Sequence, residues 1–364
     1  MLRIVTEPAD WTAVLGGLGR PSVMAGPVYA RAAAALEAGG TAELAVWEAE
    51  GHRLAHPYVR RPVPLAPDES DLISVFDFGG FWFSTDDPAA RAALLAGFEP
   101  AFAAHCRDAG IVSAFVRFHP FQAVDPAAFR RFTVWKFFDN VVVPLDRAMG
   151  AIRRDYAPSR RHKVRQGGRY APVIDRSADY GPFLNVYHAN LDRLNADPFY
   201  YFPLSFFDAV REHLDLFYLH DTDGRLCAAH TYLRDGDTVF AFLCHSDADT
   251  LEVRPNDVLF DHAIEHYAAR GFRCLHLGGG SPTLTHYKGT FSPRRVPYFL
   301  GRAVFDDARY GDLTRRRAAI EGMDPDAIGF FPAYRCNERN AAAVHRGAKE
   351  RAKIRDMGPE SDED

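Results

Sequence analysis

The sequence predicts a mixed α/β fold built from two similar halves, and two observations support this prediction. The chain has 364 residues, enough for two domains of ordinary size, and 47% of them are hydrophobic and 25% charged, as in a folded globular protein. The predicted elements also occur twice in the same order, as helices, three antiparallel strands, a long helix and a further strand. A mixed, largely antiparallel sheet with helices on its faces accommodates that order in each half.

The first half is bounded by clear turn and capping residues. Glu50 and Gly51 form the turn between two strands, and Gly110 ends a long helix that begins with an Asp-Pro step. Its predicted segments are helices at 8–15 and 28–39, strands within 42–63 and at 71–81, a helix at 87–110 and a strand at 111–120. A last strand at 140–145 is expected to close this half.

The second half repeats the order, with a turn at Asp223-Gly224 and a helix end at Gly271. Its predicted segments are helices at 179–195 and 203–213, strands within 214–233 and at 237–247, a helix at 255–271 and a strand at 272–280. A strand at 296–306 is expected to close this half. We therefore assign an N-terminal domain to 1–150, a C-terminal domain to 151–336, and a charged, partly frayed tail to 337–364.

A short basic connector, AIRRDYAPSRRHKVRQGGRY, opens the second domain and carries seven arginines and lysines. The chain as a whole has a net charge of -5, which argues against a generally basic nucleic-acid binder. On a helix, Arg161 and Arg165 would share one face and Lys163 would point elsewhere. Because all three side chains are cations, and the two guanidinium groups can bind phosphate in bidentate geometry, these residues are candidate phosphate-binding residues. The alternative is a charged helix that contacts only water.

A second candidate site is the segment LHLGGGSPTLTHYKGTF, in which a strand ends in Gly278, Gly279 and Gly280. Glycines at a strand's carboxyl end permit close approach of a ligand, and exposed amides there hold an anion or a developing oxyanion. Tyr287 and Lys288 follow on a short turn, so all five are candidate substrate-binding residues. A plain turn and a surface lysine are the alternatives. The spacing matches neither a dinucleotide fingerprint nor a P-loop.

A third candidate site is the aromatic cluster DRLNADPFYYFPLSFF. Tyr200 and Tyr201 are candidate catalytic residues, because a tyrosine hydroxyl in a groove can bond substrate and steady an oxyanion. The alternative is that these aromatic rings fill the core. We favour core packing for the FGGFWF run at 78–83.

Other kinds of site find no support in the sequence. The five cysteines form no CxxC pair, and the sequence has no HExxH, GxSxG or paired-carboxylate motif, so we expect neither a metal nor a cofactor. No segment approaches the ~20 apolar residues that a membrane-spanning helix requires. We therefore expect no membrane span and a cytoplasmic protein.

Six segments, taken in their order and spacing, are typical of one family. They are VSAFVRFHP, SRRHKVRQGGRY, LDRLNADPFYYFP, RPNDVLFDHAIEHYAARG, LHLGGG followed by YKGTF, and GRAVFDDARYGDL. Through them the chain resembles the Fem-type aminoacyltransferases of the twin GNAT fold, which attach amino acids to peptidoglycan precursors and have relatives in polysaccharide and antibiotic gene clusters. The resemblance implies two tandem GNAT-like domains related by internal duplication, in agreement with the repeat.

The resemblance also implies roles for particular residues. In the family, a lysine of the FK-type turn and an arginine of the basic connector hold a phosphorylated acceptor. Lys288 matches the lysine, and Arg161 or Lys163 matches the arginine. Relatives often carry an aspartate between the glycines and the lysine, whereas this chain reads SPTLTHYK, and this departure leaves the acceptor open.

The choice of acyl donor depends on one loop. A standard acetyltransferase binds the CoA pyrophosphate with a [QR]xxGx[GA] loop at the start of a helix, where free amides face the phosphates. At that point the two halves read LEVRPNDVLF and STDDPAARA, and neither contains glycine. This difference favours aminoacyl-tRNA over acyl-CoA as the donor.

The sequence thus predicts an aminoacyltransferase that joins an aminoacyl group from tRNA to the amine of a small-molecule or peptidyl acceptor. The product would belong to cell-wall precursor or peptide natural-product biosynthesis. One alternative is an acyl-CoA-dependent GNAT N-acyltransferase acting on an amino sugar or another amine. The other is a non-catalytic binding module.

Overall fold

The structure is a computed structural model that describes residues 1–19 and 21–337. The chain divides into two compact units. Unit 1 comprises Met1–Phe138 and the described chain from Pro297 onward, and unit 2 comprises Asp139–Val296. The frayed tail that we predict at 337–364 lies, apart from Asn337, outside the described residues.

The elements follow the predicted alternation of strands and helices. The strands are β1 (Leu2–Val5), β2 (Thr41–Ala49), β3 (His52–Val63), β4 (Ala66–Ile73), β5 (Trp82–Phe83), β6 (Ile111–Arg117), β7 (Thr133–Pro144), β8 (Val173–Ser177), β9 (Leu214–His220), β10 (Leu226–Asp235), β11 (Thr238–Ser246), β12 (Cys274–Gly278) and β13 (Arg295–Val304). The α-helices are α1 (Pro8–Gly16), α2 (Pro27–Ala34), α3 (Pro88–Asp108), α4 (Met149–Arg154), α5 (Pro158–Gly168), α6 (Gly181–Arg193), α7 (Leu204–Val210), α8 (Pro255–Ala268), α9 (Pro282–Gly289) and α10 (Asp307–Glu321).

Unit 1 is a mixed sheet in the order β1-β2-β3-β4-β6-β13, with β5 paired to β3. All neighbours along this order are antiparallel except β4 and β6, which are parallel. The long helix α3 begins where the Asp87 carboxylate accepts the Ala90 amide at 2.9 Å, and it lays Phe98 and Phe102, both fully buried, on the sheet. Burial of each ring contributes ~1.5–3 kcal/mol to this core.

Unit 2 is a sheet of the same kind, in the order β8-β9-β10-β11-β12-β7. Its single parallel pair is β11 with β12, and the other neighbours are antiparallel. Helix α8 lies between the parallel strands β11 and β12 in the chain, as α3 lies between β4 and β6, and its Leu259, Ile264 and Tyr267 are fully buried in the core of this unit. The equivalent strand orders confirm the predicted mixed fold of two similar halves.

The strands that close the two sheets are exchanged relative to our expectation. We expected 140–145 to close the first half and 296–306 to close the second. Instead, β7 pairs with β12 of unit 2 through residues 141–144, and β13 pairs with β6 of unit 1, from Leu300 opposite Arg117 to Val304 opposite Ser113. The division of the chain therefore falls at 138/139, not at 150/151, and the chain after Val296 belongs to unit 1, not to the second domain.

The basic connector is not a link between the two units but lies within unit 2. Its residues form α4 and α5 inside unit 2, and α5 packs against the start of α8. It is therefore part of the body of unit 2. Across the described ranges, no helix has the length and apolar character needed to cross a membrane.

Candidate active site

The candidate site of unit 2 lies at the carboxyl ends of its two parallel strands. β11 and β12 pair only from Thr238 opposite Cys274 to Phe240 opposite His276, although β11 continues to Ser246. Open α/β sheets usually bind ligands at the carboxyl ends of their parallel strands. The chain therefore presents Gly278, at the end of β12, and the two glycines that follow it where a ligand is expected.

The glycines and Lys288 come together, as their order in the sequence suggests. Gly278 and Gly280 have φ values of 77° and 135°, which favour glycine, and a Cβ atom on Gly278 would lie 3.3 Å from the Lys288 Nζ. The Lys288 Nζ donates a hydrogen bond of 2.8 Å to the Gly279 carbonyl. A Cβ atom on Gly280 would lie 2.8 Å from Leu284. The glycines thus allow α9 to fold back over the strand end and hold an ammonium group there.

Tyr287 takes part in a buried polar cluster that our sequence reasoning missed. Its hydroxyl donates to the Asp257 Oδ1 at 2.8 Å, and Asp257 also forms an ion pair with Arg160. Arg160 is only 3% exposed, its Nε donates to the Thr290 Oγ1 at 2.8 Å, and its guanidinium lies 4.2 Å from the centre of the Tyr287 ring. Burial raises the pKa of the Tyr287 hydroxyl above its usual 10.0, so this group remains a donor.

This cluster, which we call the Arg160 cluster (Arg160, Asp257, Tyr287 and Thr290), joins α5, α8 and α9. It connects the basic segment to the helix that carries Lys288. The sequence does contain a signal for it. Arg160, Val164 and Gly167 share one face of α5 at spacings of four and seven residues, and both Arg160 and Gly167 are buried.

Protein groups pack beside the start of α8, although no side chain caps its first amides. A Cβ atom on Gly167 would lie 2.8 Å from the Val253 carbonyl oxygen, so α5 approaches the residues before α8 closely. Asp257 lies in the first turn, where a carboxylate interacts favourably with the helix dipole. The Asn256 side chain is engaged as well, since its Oδ1 meets the His230 Nε2 at 2.8 Å and its Nδ2 donates to the Ser246 Oγ at 2.9 Å.

The remaining cations of the basic segment divide into two groups. Arg153 pairs with Asp261 and Glu265, and the Arg161 Nη1 donates to the carbonyls of Arg154 and Tyr156 at 3.0 and 2.6 Å. The second group consists of the side chains of Arg154, Lys163, Arg165 and Arg169. Within the part of the chain that the structure describes, these four side chains form no ion pair and no hydrogen bond. Arg165 is exposed and Lys163 is half-buried.

The two candidate catalytic tyrosines lie beside α6. Tyr200 is 47% exposed, and its carbonyl accepts a hydrogen bond from the Tyr187 hydroxyl. The Tyr201 hydroxyl donates to the Asp192 Oδ1 at 2.6 Å. Helix α6 reaches the end of β11 through its own side chains, since the Asn190 Nδ2 and the His245 Nδ1 are 2.8 Å apart. The tyrosines therefore lie on the segment that follows α6 and contacts it, whereas Lys288 belongs to the helix that follows β12.

His230 and His245 are neutral side chains of the interior. His230 is fully buried, with both ring nitrogens bonded, one to the Tyr232 hydroxyl at 3.0 Å and the other to Asn256. Burial lowers the pKa of His230 to about 3 and that of His245 to about 4. Within the described ranges, no group of three His, Cys, Asp or Glu side chains is arranged to hold a metal ion.

Comparison with known proteins supports the same fold. Residues 151–289 match a family model described as an acetyltransferase (GNAT) domain. The solved structure of FemX aligns with a TM-score of 0.61 at 10% identity, over 85% of this chain and 98% of FemX. A Bacteroides thetaiotaomicron protein of unknown function aligns with a TM-score of 0.54 at 11% identity, over 84% of this chain and all of that one. No curated protein sequence matches significantly.

These findings confirm the predicted resemblance to Fem-type proteins at the level of the fold, and they support an acyltransferase. Residues 151–289 carry the sequence pattern of an acetyltransferase (GNAT) domain, and the aligned 85% of the chain has a fold similar to that of FemX.

Proposed function

We propose that this protein is a Fem-like aminoacyltransferase that uses aminoacyl-tRNA as its donor and an amine of a small or peptidyl molecule as its acceptor. The acceptor nitrogen attacks the ester carbonyl of the charged tRNA. A carbon–nitrogen bond forms, the carbon–oxygen bond to the tRNA ribose breaks, and the proton lost by the nitrogen is taken up by the departing ribose oxygen. The product is an amide, of a cell-wall precursor or of a peptide natural product.

The groups around the start of α8 indicate which acyl donor the protein uses. In an acyl-CoA enzyme, the free amides at this helix start bind the pyrophosphate. Here Asp257 already places a carboxylate in the first turn, and α5 packs closely against the residues before it. A pyrophosphate would need room where α5 already packs, and Arg160 is already paired with Asp257 and so offers it no free charge. These groups therefore favour a donor that binds elsewhere.

The cations of α5 that lack protein partners suit a polyanionic donor. Lys163 and Arg165 have no ion pair within the described residues, and Arg154 and Arg169 share that property. Cations of this kind bind nucleic-acid phosphates and release counterions, which makes binding dependent on salt. We keep Lys163 and Arg165 as the phosphate-binding candidates. We expect Arg161 to contribute less to phosphate binding, because its Nη1 already donates hydrogen bonds to two backbone carbonyls.

Lys288 and the glycines before it are the proposed acceptor site. The ammonium group is held at the end of β12 by the Gly279 carbonyl, where it can meet a phosphate or carboxylate of the acceptor. An amine with a pKa of about 8 is partly neutral near neutral pH, so positioning the reactants can supply much of the acceleration. Of the two tyrosines, Tyr200 is the better candidate to steady the oxyanion, because the Tyr201 hydroxyl is engaged by Asp192.

The alternative donor is acyl-CoA, and the acetyltransferase description of the matching family model favours it. One experiment separates the candidates. The protein is incubated with a pool of charged tRNA and candidate amines, with and without ribonuclease, and in parallel with acetyl-CoA. We expect new amides, detected by mass spectrometry, only with intact tRNA. Amides that survive ribonuclease and require acetyl-CoA would instead establish the acyl-CoA enzyme, and a binding module would yield no amide under any condition.

A further inference from the structure

The end of β11 carries a histidine that lies beside the candidate site. Cys244 and His245 belong to the stretch of β11 beyond its pairing with β12. Cys244 packs against the core that contains α8; burial raises the pKa of its thiol to about 12, and the Lys288 ammonium lies near enough to oppose that rise. Because successive side chains of a strand point to opposite faces, His245 faces α6 instead, with the centre of its ring 4.7 Å from that of Tyr187.

Two successive hydrogen bonds determine which ring nitrogen of His245 carries the proton. The Arg193 Nη2 donates to the Asn190 Oδ1 at 2.7 Å, so the other end of the Asn190 carboxamide, its Nδ2, is the end that faces His245. This Nδ2 lies 2.8 Å from the His245 Nδ1. Because the amide nitrogen can only donate, the His245 Nδ1 accepts and carries no proton. In a neutral imidazole the proton is then on Nε2.

The protonation of His245 limits what the side chain can do. Burial lowers its pKa to about 4, so the ring is neutral near neutral pH. The lone pair of Nδ1 already accepts from Asn190, and Nε2 carries the proton, so no ring nitrogen is free to take a proton from a substrate. His245 is therefore poorly suited to act as a general base, and the group that it can offer a substrate is the Nε2–H donor.

The Nε2–H of His245 is held in place and is not used by the fold. The side chain is half-buried, and its Nε2 remains accessible to solvent and makes no hydrogen bond to any described residue. His230 differs, because both of its ring nitrogens are bonded within the protein. Asn190 and the Tyr187 ring fix the position of the His245 ring from the α6 side. A donor held in this way is preorganised for charge that develops during a reaction.

We propose that His245 is a catalytic residue that donates a hydrogen bond from its Nε2–H to the oxyanion formed from the carbonyl of the acyl donor. This role rests on the acyl transfer proposed above. When the acceptor nitrogen attacks, the π electrons of the carbonyl move to its oxygen, and the imidazole stabilises that charge while keeping its own proton. The carbonyl re-forms as the bond to the ribose oxygen breaks, and that oxygen takes up the proton lost by the nitrogen. Asn190 and Arg193 are positioning residues. An oxyanion accepts more than one hydrogen bond, so this role is compatible with that of Tyr200.

The first test reads the tautomer directly and does not depend on any donor. Ring nitrogen NMR signals are recorded on the full chain labelled at its fifteen histidines, and His245→Gln identifies the signals of His245. We expect the Nε2–H tautomer. Asn190→Asp replaces the donor by an acceptor of nearly the same shape, so the proton should move to Nδ1. Asn185→Asp, at an exposed position of the same helix, adds the same charge and should leave the tautomer unchanged. An Nδ1–H tautomer or a charged ring in the wild type would overturn the proposal.

The second test measures amide formation at about pH 8, where an imidazole of ordinary pKa is neutral. The substrates are charged tRNA and the amine that the wild-type protein acylates fastest in the donor experiment. His245→Leu removes the donor and should lower kcat ~100-fold with little change in the acceptor KM. His245→Gln places a carboxamide N–H near the position of Nε2 and should keep most of the activity. Asn190→Asp should lower kcat as well, because Nε2 then lacks its proton. His213→Leu, which precedes β9 outside the proposed site, is the control and should keep the wild-type kcat.

Melting temperatures show whether each variant is folded. Wild-type kcat in folded His245→Leu, equal losses in the leucine and glutamine variants, or a higher kcat in Asn190→Asp, as a general base would give, would each overturn the proposal. Transfer from acetyl-CoA instead of tRNA would contradict the proposed donor alone. A thioester carbonyl forms the same kind of oxyanion, so the same pattern of losses with acetyl-CoA would still support the role of His245.

Discussion

Replacing Asp257 by leucine should destabilise unit 2 strongly, because it would leave the Arg160 guanidinium buried without its carboxylate. The side chains of Arg160 and Asp257 are only 3% and 8% exposed, so water cannot take the place of the missing partner. Breaking a buried ion pair from one side costs ~3–5 kcal/mol. The Tyr287 hydroxyl also loses its acceptor. For a domain of this size, each kcal/mol lowers the melting temperature by about 2–4 °C, so we expect a decrease of ~6–20 °C.

The assay is urea unfolding followed by circular dichroism, arranged as a double-mutant cycle. Asp257→Leu and Arg160→Met are measured singly and together. The double variant leaves no unpaired charge, so its loss of stability should be smaller than that of Asp257→Leu alone. Glu252→Ala, at an exposed position shortly before α8, is the control and should change stability by less than about 0.5 kcal/mol. Additive losses across the cycle would refute the assignment of this cluster as a coupled buried pair.

Three further predictions concern the acceptor, the donor and pH. Lys288→Met keeps the side-chain stem but removes the charge, so the acceptor KM should rise while kcat changes less; wild-type values of both in a folded variant would remove Lys288 from the site. Replacing Lys163 and Arg165 together by alanine should weaken tRNA binding and reduce its dependence on salt, with the melting temperature unchanged; an identical salt dependence would leave α5 without a role in RNA binding. Because burial lowers the pKa of His230 to about 3 from 6.5, the unfolded state binds more protons between these values, and stability should fall as pH decreases from about 6.5, by up to ~1.4 kcal/mol per pH unit. His230→Gln should lessen this dependence and His162→Gln, at an exposed position, should not; equal profiles would contradict the buried, neutral state of His230.

The order of the elements was predictable because local residues set it. Asp87 and Gly110 flank α3, and the turn at Glu50-Gly51 separates β2 from β3, with φ values of 53° and 77°. The partners of the closing strands were not predictable in the same way. β7 and β13 pair through backbone groups that every strand offers, and alternation of apolar residues does not say which edge a strand joins. That choice depends on the whole chain, which is why our domain boundary differs from the observed division.

Part of the candidate site was predictable from the sequence, because local residues determine the backbone there. Three consecutive glycines before Lys288 signal an unusual backbone, and the structure does bring that lysine onto them. The role of Arg160 was harder to see, because Arg160 and Arg161 are chemically identical neighbours. Only the rotation of α5 against α8 decides which guanidinium is buried. Gly167, on the same face as Arg160, was the available clue.

Binding of CoA tests the central claim, that the donor is aminoacyl-tRNA, most directly. Calorimetric titration of the full chain with CoA is compared with equilibrium binding of aminoacyl-tRNA at the same salt concentration. Because α5 packs closely beside the start of α8 and Asp257 holds Arg160 in an ion pair there, we predict no measurable heat with CoA and salt-dependent binding of the tRNA. Saturable binding of CoA, together with a lack of affinity for tRNA at low salt, would contradict the proposed donor and establish an acyl-CoA site at α8.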